Sequence, residues 1–155
     1  MNKEKKERIR LTRNQGKLLK QLIKREETQA KKYMKAWDEA NKEGDQRECD
    51  AFSLSMDLLN SSSDKIIALR KIYEESEICS PKNNEYIEVG HRVELKINND
   101  KKDFYEISEY TLPTDEILQL SIYSPIGRFI LGKKIGKYET EIKQKRTIAE
   151  ILSIS

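Results

Sequence analysis

Glu39-Ala40-Asn41-Lys42-Glu43-Gly44-Asp45-Gln46-Arg47-Glu48 divides the first half of the chain into two matching arms. From Leu11 to Tyr73 there is no proline, and Gly16 and Gly44 are the only glycines. Before the break, apolar residues recur at three and four: Leu18, Leu22, Ala30, Tyr33, Trp37, Ala40. After it the same spacing resumes with Phe52, Met56, Leu59, Ile66, Leu69 and Tyr73. This is helical period in both arms. Gly44 suits the end of a helix and Asp45 the cap of the next. Folding the chain back at 44–45 sets Trp37 against Phe52, Tyr33 against Met56, Ala30 against Leu59 and Ile23 against Ile66. One register that matches four apolar pairs predicts an antiparallel coiled coil, each arm roughly 45 Å long. Looser packing is expected where Arg25 and Glu26 face Ser62 to Asp64.

Working outward, the chain has 155 residues, 37% charged and 36% hydrophobic. Regular apolar spacing argues against disorder at this composition. No apolar run approaches the ~18 residues of a membrane span. The charged start (Met1-Asn2-Lys3-Glu4-Lys5-Lys6) has no apolar stretch behind it and does not read as a secretory signal. Cys49 and Cys79 have no CxxC partner, which fits free thiols in a reducing cytoplasm. Two cysteines and the single His91 make a zinc site a poor fit.

The net charge of +3 is unevenly divided. Residues 1–42 carry a net +8, residues 43–79 a net −5, and residues 80–155 are balanced. At the break itself, Asp45 and Glu48 stand three apart. This is the spacing of an N-cap and its capping-box carboxylate, and acids favour a helix N-terminus in any case. The same two carboxylates on an exposed turn could also serve chemistry. Lys3, Lys5, Lys6 and Arg8 read as a frayed, solvated end.

Residues 76–86 mix Pro81 with Ser and Asn and read as a linker. Alternation follows. Val93, Leu95 and Ile97 fit a strand over 91–98, Asn98 to Lys101 a turn, and Phe104 to Ile107 the return strand. Leu118 to Ile122 is a third strand. Ser124-Pro125-Ile126 opens a short helix with Ser as cap and Pro in the first turn, and Gly132 ends it. Tyr138–Ile142 and Ile148–Leu152 close the sheet. The class is α+β, with residues 1–77 as the coiled coil and 84–155 as a second domain of about 70 residues, able to fold alone.

Two motifs now carry a likeness. The stretch 39–48 resembles the hairpin tip of the bacterial Gre transcript-cleavage factors (GreA/GreB), where E-A-x-x-x-G-D-x-x-E is typical. Ser124-Pro125-Ile126-Gly127-Arg128-Phe129-Ile130-Leu131-Gly132-Lys133 is similar to that family's S-P-I-A-R-A-L-L-G-K. The resemblance implies an FKBP-like C-terminal domain that docks on bacterial RNA polymerase, through Ser124, Pro125 and Ile126 among others. It implies that the coiled coil enters the secondary channel as a monomer, in the cytoplasm. Asp45 and Glu48 would then help the polymerase cleave the 3′ end of backtracked RNA, so the chain itself is no enzyme. They would hold Mg²⁺ only as part of a shared site, since Mg²⁺ takes six oxygens and usually keeps several waters. Lys31, Lys32, Lys35, Lys42 and Arg47 would contact RNA phosphates; as an alternative they form a solvated helix face.

Three departures stand beside the likeness. Cys49-Asp50-Ala51-Phe52 replaces the usual N-A-E-Y, and Tyr123 stands where Asn or Asp precedes S-P-I. Asp50 adds a third acid near the tip, as in Gre-like inhibitors that block polymerase without cleaving RNA. A channel inhibitor or modulator is thus the second expectation. A peptidyl-prolyl isomerase is a third, weak one: it needs an aromatic-lined cleft, and the C-terminal half has no Trp.

Overall fold

The computed structural model describes residues 7–42 and 50–155. The element order is β1 (Ile9–Leu11), α1 (Arg13–Lys42), α2 (Asp50–Glu74), β2 (Ser76–Ile78), β3 (Arg92–Ile97), β4 (Asp103–Ser108), β5 (Gln119–Ser121), α3 (Pro125–Ile130), β6 (Gly136–Ile142) and β7 (Lys145–Ile154). The class is α+β, as expected. By internal contacts the chain forms two compact units. One is Gly16–Glu75; the other joins the residues up to Gln15 to Ser76–Ser155. The units thus divide at 15/16 and 75/76, where the sequence suggests extents of 1–77 and 84–155.

Within Gly16–Glu75 the two helices run antiparallel. Ser62 Oγ donates to the backbone oxygen and carboxylate of Glu26, at 3.3 and 3.1 Å. Arg70 pairs with Glu27, and the Lys20 ammonium lies 5.7 Å from the Tyr73 ring centre. Lys20 near the start of α1 thus meets Tyr73 near the end of α2, and Glu26 further along α1 meets Ser62 further back on α2; Arg70 reaches Glu27 with its long side chain. Glu26 opposite Ser62 lies one residue from the register predicted by the apolar pairs. The seam there is not loose. Ser62 is buried, and its hydroxyl fills the polar site with a hydrogen bond. Phe52, and with it the Trp37 pair, lies outside the described side chains.

In the other unit a five-stranded sheet runs β5-β4-β3-β7-β6. Its pairs are antiparallel except β4 with β5. One face carries the core: Ile87, Val93, Leu95, Ile107, Ile130, Ala149, Ile151 and Ile154. The alternation of β3 and β7 puts these residues on one side, as period two requires. Helix α3 closes the core with Ile130, while Ile126 and Phe129 pack against it.

Two strands lie where the sequence reads otherwise. β1 falls next to the stretch read as a solvated end, and β2 falls inside the stretch read as a linker. They pair in parallel, with Ile9 opposite Ser76 and Leu11 opposite Ile78. The Cys79 amide extends the ladder by donating to Leu11 O at 2.8 Å.

Thr12 then caps α1. Its hydroxyl accepts from Gln15 N and the Gln15 side-chain oxygen accepts from Thr12 N, both at 3.0 Å. This reciprocal pair is a capping box. It also explains why Glu106, Ile107 and Ser108 are buried in succession on β4. Ile107 faces the core, and residues 12–15 help cover the opposite face.

Candidate functional site

Helix α1 ends at Lys42 and α2 begins at Asp50, so the first four residues of the tip motif close α1 and the rest fall between the two long helices. Gly44, Asp45, Arg47, Glu48 and Cys49 lie outside the described residues, and the acidic pair and its Mg²⁺ role lie there with them. Among the described residues no group of three or more His, Cys, Asp or Glu could hold a metal ion.

Lys31, Lys32, Lys35 and Lys42 are all exposed on α1. At about 100° per residue, Lys31, Lys35 and Lys42 fall within roughly 40° of one another. Ile23, Glu26, Ala30, Tyr33 and Trp37 occupy the opposite side of the helix, the side that meets α2. Lys32 lies about 60° from Lys35. The face is basic but not purely so, because Asp38 lies about 20° outside this arc and Glu39 lies between Lys35 and Lys32. Helical winding thus gathers three of the four predicted lysines on the outward face.

Ser124 is the N-cap of α3, with extended backbone (φ −70°, ψ 155°). Its hydroxyl accepts from Gly127 N at 3.0 Å and donates to Ser121 O at 2.6 Å. One side chain thereby starts the helix and ties it to β5. Pro125 occupies the first turn and is exposed, whereas Ile126 is half-buried against the core. The exposed apolar group beside them is Tyr123, at 59%.

Sequence reading missed a polar network on the far face of β4. The Thr12 hydroxyl donates to Glu106, and Asn14 Nδ2 donates to the same carboxylate at 3.3 Å. Gln15 Nε2 donates to Tyr110 O at 2.6 Å and Gln119 Oε1 at 2.8 Å. Gln119 in turn holds the backbone of Leu112 through both its amide atoms. The signal was present as Thr12-Arg13-Asn14-Gln15, the T-x-x-Q form of a capping box.

A cleft of about 380 Å³ opens beside this network, lined by Asn14, Arg92, Asp103, Phe104, Glu106, Glu116, Ile117 and Leu118. Phe104 is its one aromatic residue, and the Arg92 guanidinium covers that ring at 4.4 Å. Such a cleft lacks the aromatic lining a prolyl isomerase needs.

His91 is structural. Its Nδ1 accepts from Glu88 N at 2.9 Å, which leaves Nε2–H to donate to Asn84 Oδ1 at 3.2 Å. Burial pushes the Cys79 thiol above its ordinary pKa, with Arg10 opposing. It is therefore a poor nucleophile at neutral pH.

No family model matches the chain, and no curated protein does. Over almost its whole length the chain is similar to solved structures of Gre-type factors. GreA factor homolog 1 (Gfh1) of Thermus thermophilus is 18% identical, with 96% of this chain and 99% of that one covered and a TM-score of 0.46. Gfh1 of Thermus aquaticus is 16% identical, with 96% and 98% covered and a TM-score of 0.46. A GreA/GreB elongation factor from Nitrosomonas europaea is 12% identical, with 96% and 98% covered and a TM-score of 0.37. At these identities and scores each is a likeness and no more. No described helix is long and apolar enough to cross a membrane.

Proposed function

We propose that the chain is a transcription elongation factor that binds the secondary channel of a bacterial RNA polymerase and stimulates the polymerase's own cleavage of backtracked RNA. One observation carries this reading. The E-A-x-x-x-G-D-x-x-E stretch runs from the end of one long helix into the connection to a second, antiparallel one, and the S-P-I stretch opens the short helix of a separate α+β unit. On this reading the hairpin delivers groups to a distant centre, and the second unit supplies the docking surface. On this reading the hairpin is a coiled coil, the second unit is FKBP-like, and the protein acts as a cytoplasmic monomer.

Asp45 and Glu48 suit a shared Mg²⁺ by their donor chemistry. Hard oxygen ligands are the type this ion takes, and two carboxylates supply only part of its shell, leaving the rest to the polymerase and the RNA. Two-metal chemistry uses one ion to activate water and another to stabilise the leaving oxygen, and Asp45 and Glu48 would hold the second of these and orient the attacking water. Lys31, Lys32, Lys35, Lys42 and Arg47 would hold RNA phosphates through salt-sensitive contacts.

The test uses a bacterial polymerase stalled and allowed to backtrack. With the protein and Mg²⁺, short 3′ RNA fragments are expected. Asp45→Ala or Glu48→Ala should remove the fragments and leave polymerase binding intact; loss of binding would make these acids structural. The third acid, Asp50, favours a second reading, a channel inhibitor. Absence of fragments together with slowed nucleotide addition would select it.

A further inference from the structure

Residues 117–138 contain no Asp or Glu and four cations: Arg128, Lys133, Lys134 and Lys137. The fold gathers part of this stretch with Tyr86. Ile87 N donates to Lys133 O at 3.0 Å and Gly132 N donates to Ile87 O at 2.9 Å, so Tyr86 lies against the 132–134 turn. The Lys134 ammonium sits 4.9 Å from the Tyr86 ring centre. The Lys133 ammonium sits 5.0 Å from that of Phe129 and 5.2 Å from that of Tyr138. All three distances fall within the ~6 Å reach of a cation–π contact, which holds the lysine heads in place. Beside them Ile135 is 60% exposed and Leu131 41%. Residues 131–135 thus hold two positively charged, pre-positioned heads and two bare aliphatic side chains; Leu131, Lys134 and Ile135 are exposed and Lys133 is half-buried.

We propose that this face docks an acidic protein segment that also presents aliphatic side chains, such as an amphipathic helix with Glu and Leu on one side. Charge complementarity selects the acid. Holding Lys133 and Lys134 on rings beforehand lowers the ordering cost of binding. The aliphatic pair selects protein over nucleic acid. A phosphate backbone offers Ile135 and Leu131 nothing apolar, and base stacking needs open ring faces. Lysine covers Tyr86 and contacts both Phe129 and Tyr138. Ser124, Pro125 and Ile126 open α3, whereas residues 131–135 follow its last residue, and the inference stands without the polymerase reading.

The experiment follows backbone amide shifts of the full isotope-labelled chain with three probes: a synthetic 18-residue Glu/Leu amphipathic helix, polyglutamate, and a single-stranded RNA oligonucleotide. The Glu/Leu helix is expected to shift the amides of residues 131–137 and to bind at least tenfold tighter than polyglutamate. Lys134→Glu combined with Ile135→Ser should weaken it at least tenfold. Both side chains are exposed, so thermal unfolding of the variant should match the parent. Absence of binding by the Glu/Leu helix, equal binding by polyglutamate, or RNA bound at these amides as tightly as the peptide would overturn the proposal.

Discussion

Gly127 sits where a methyl group has no room. A Cβ there would lie 1.8 Å from Ser121 O and 2.8 Å from Ser124 Oγ. The first obstacle is backbone of the strand end to which Ser124 is itself bonded, so it yields only if α3 moves. Gly127→Ala is expected to cost about 1–3 kcal/mol, the usual range for overpacking, read as a drop in the urea midpoint. A neutral outcome would show that β5 and α3 can separate freely. The sequence does not reveal this tightness, because nothing in S-P-I-G-R says how near Ser121 lies. Ser124 is the opposite case: cap and proline are adjacent, and the local residues suffice. Thr12 joins local and distant roles, capping α1 while donating to Glu106. Thr12→Val removes both bonds at nearly constant volume, with an expected loss of about 2 kcal/mol in denaturant unfolding.

Among the elements, strands with clear alternation were legible. Val93, Leu95 and Ala149, Ile151 recur every second residue and face one core. The turns were legible only in part. Asn98 and Asn99 take positive φ (52° and 60°), which their residue type announces. Lys143 and Gln144 do the same (49° and 64°) with no such signal, because β6 and β7 pair well enough to impose it. A two-residue hairpin with both φ positive prefers Asn-Gly. Lys143→Asn with Gln144→Gly should therefore raise stability by about 1 kcal/mol, measured as an increase in Tm. β1 and β2 were illegible. Each is three residues long, set among charged residues, and each finds its partner across the whole helical unit. Period cannot show in three residues, and parallel pairing at that distance leaves no local trace. Of the candidate site, the outward lysine stripe was readable from helical spacing alone. The Glu106 network was not, since its members come from residues about a hundred positions apart.

At the scale of the molecule, the C-terminal unit is completed by the first described residues of the chain. Leu11, Thr12 and Gln15 are essentially fully buried, and Gln15 is bonded to Tyr110 and Gln119. The fragment Ser76–Ser155 is expected to unfold at markedly lower denaturant than the same fragment joined by a short linker to residues 7–15. Equal midpoints would show that the sheet stands without them. This qualifies the expectation that residues 84–155 fold alone. It also gives the molecule a particular order of events. β1 leaves the ribosome early, yet the residues that bond its following turn are made about a hundred positions later. The helices close through neighbours in sequence, and the sheet's far face closes through one of the longest loops in the chain. Loop closure of that length slows folding far more than it costs stability. During synthesis, then, the helical unit can form before the sheet unit, and residues 12–15 wait for β4 and β5 to be made before they find their partners.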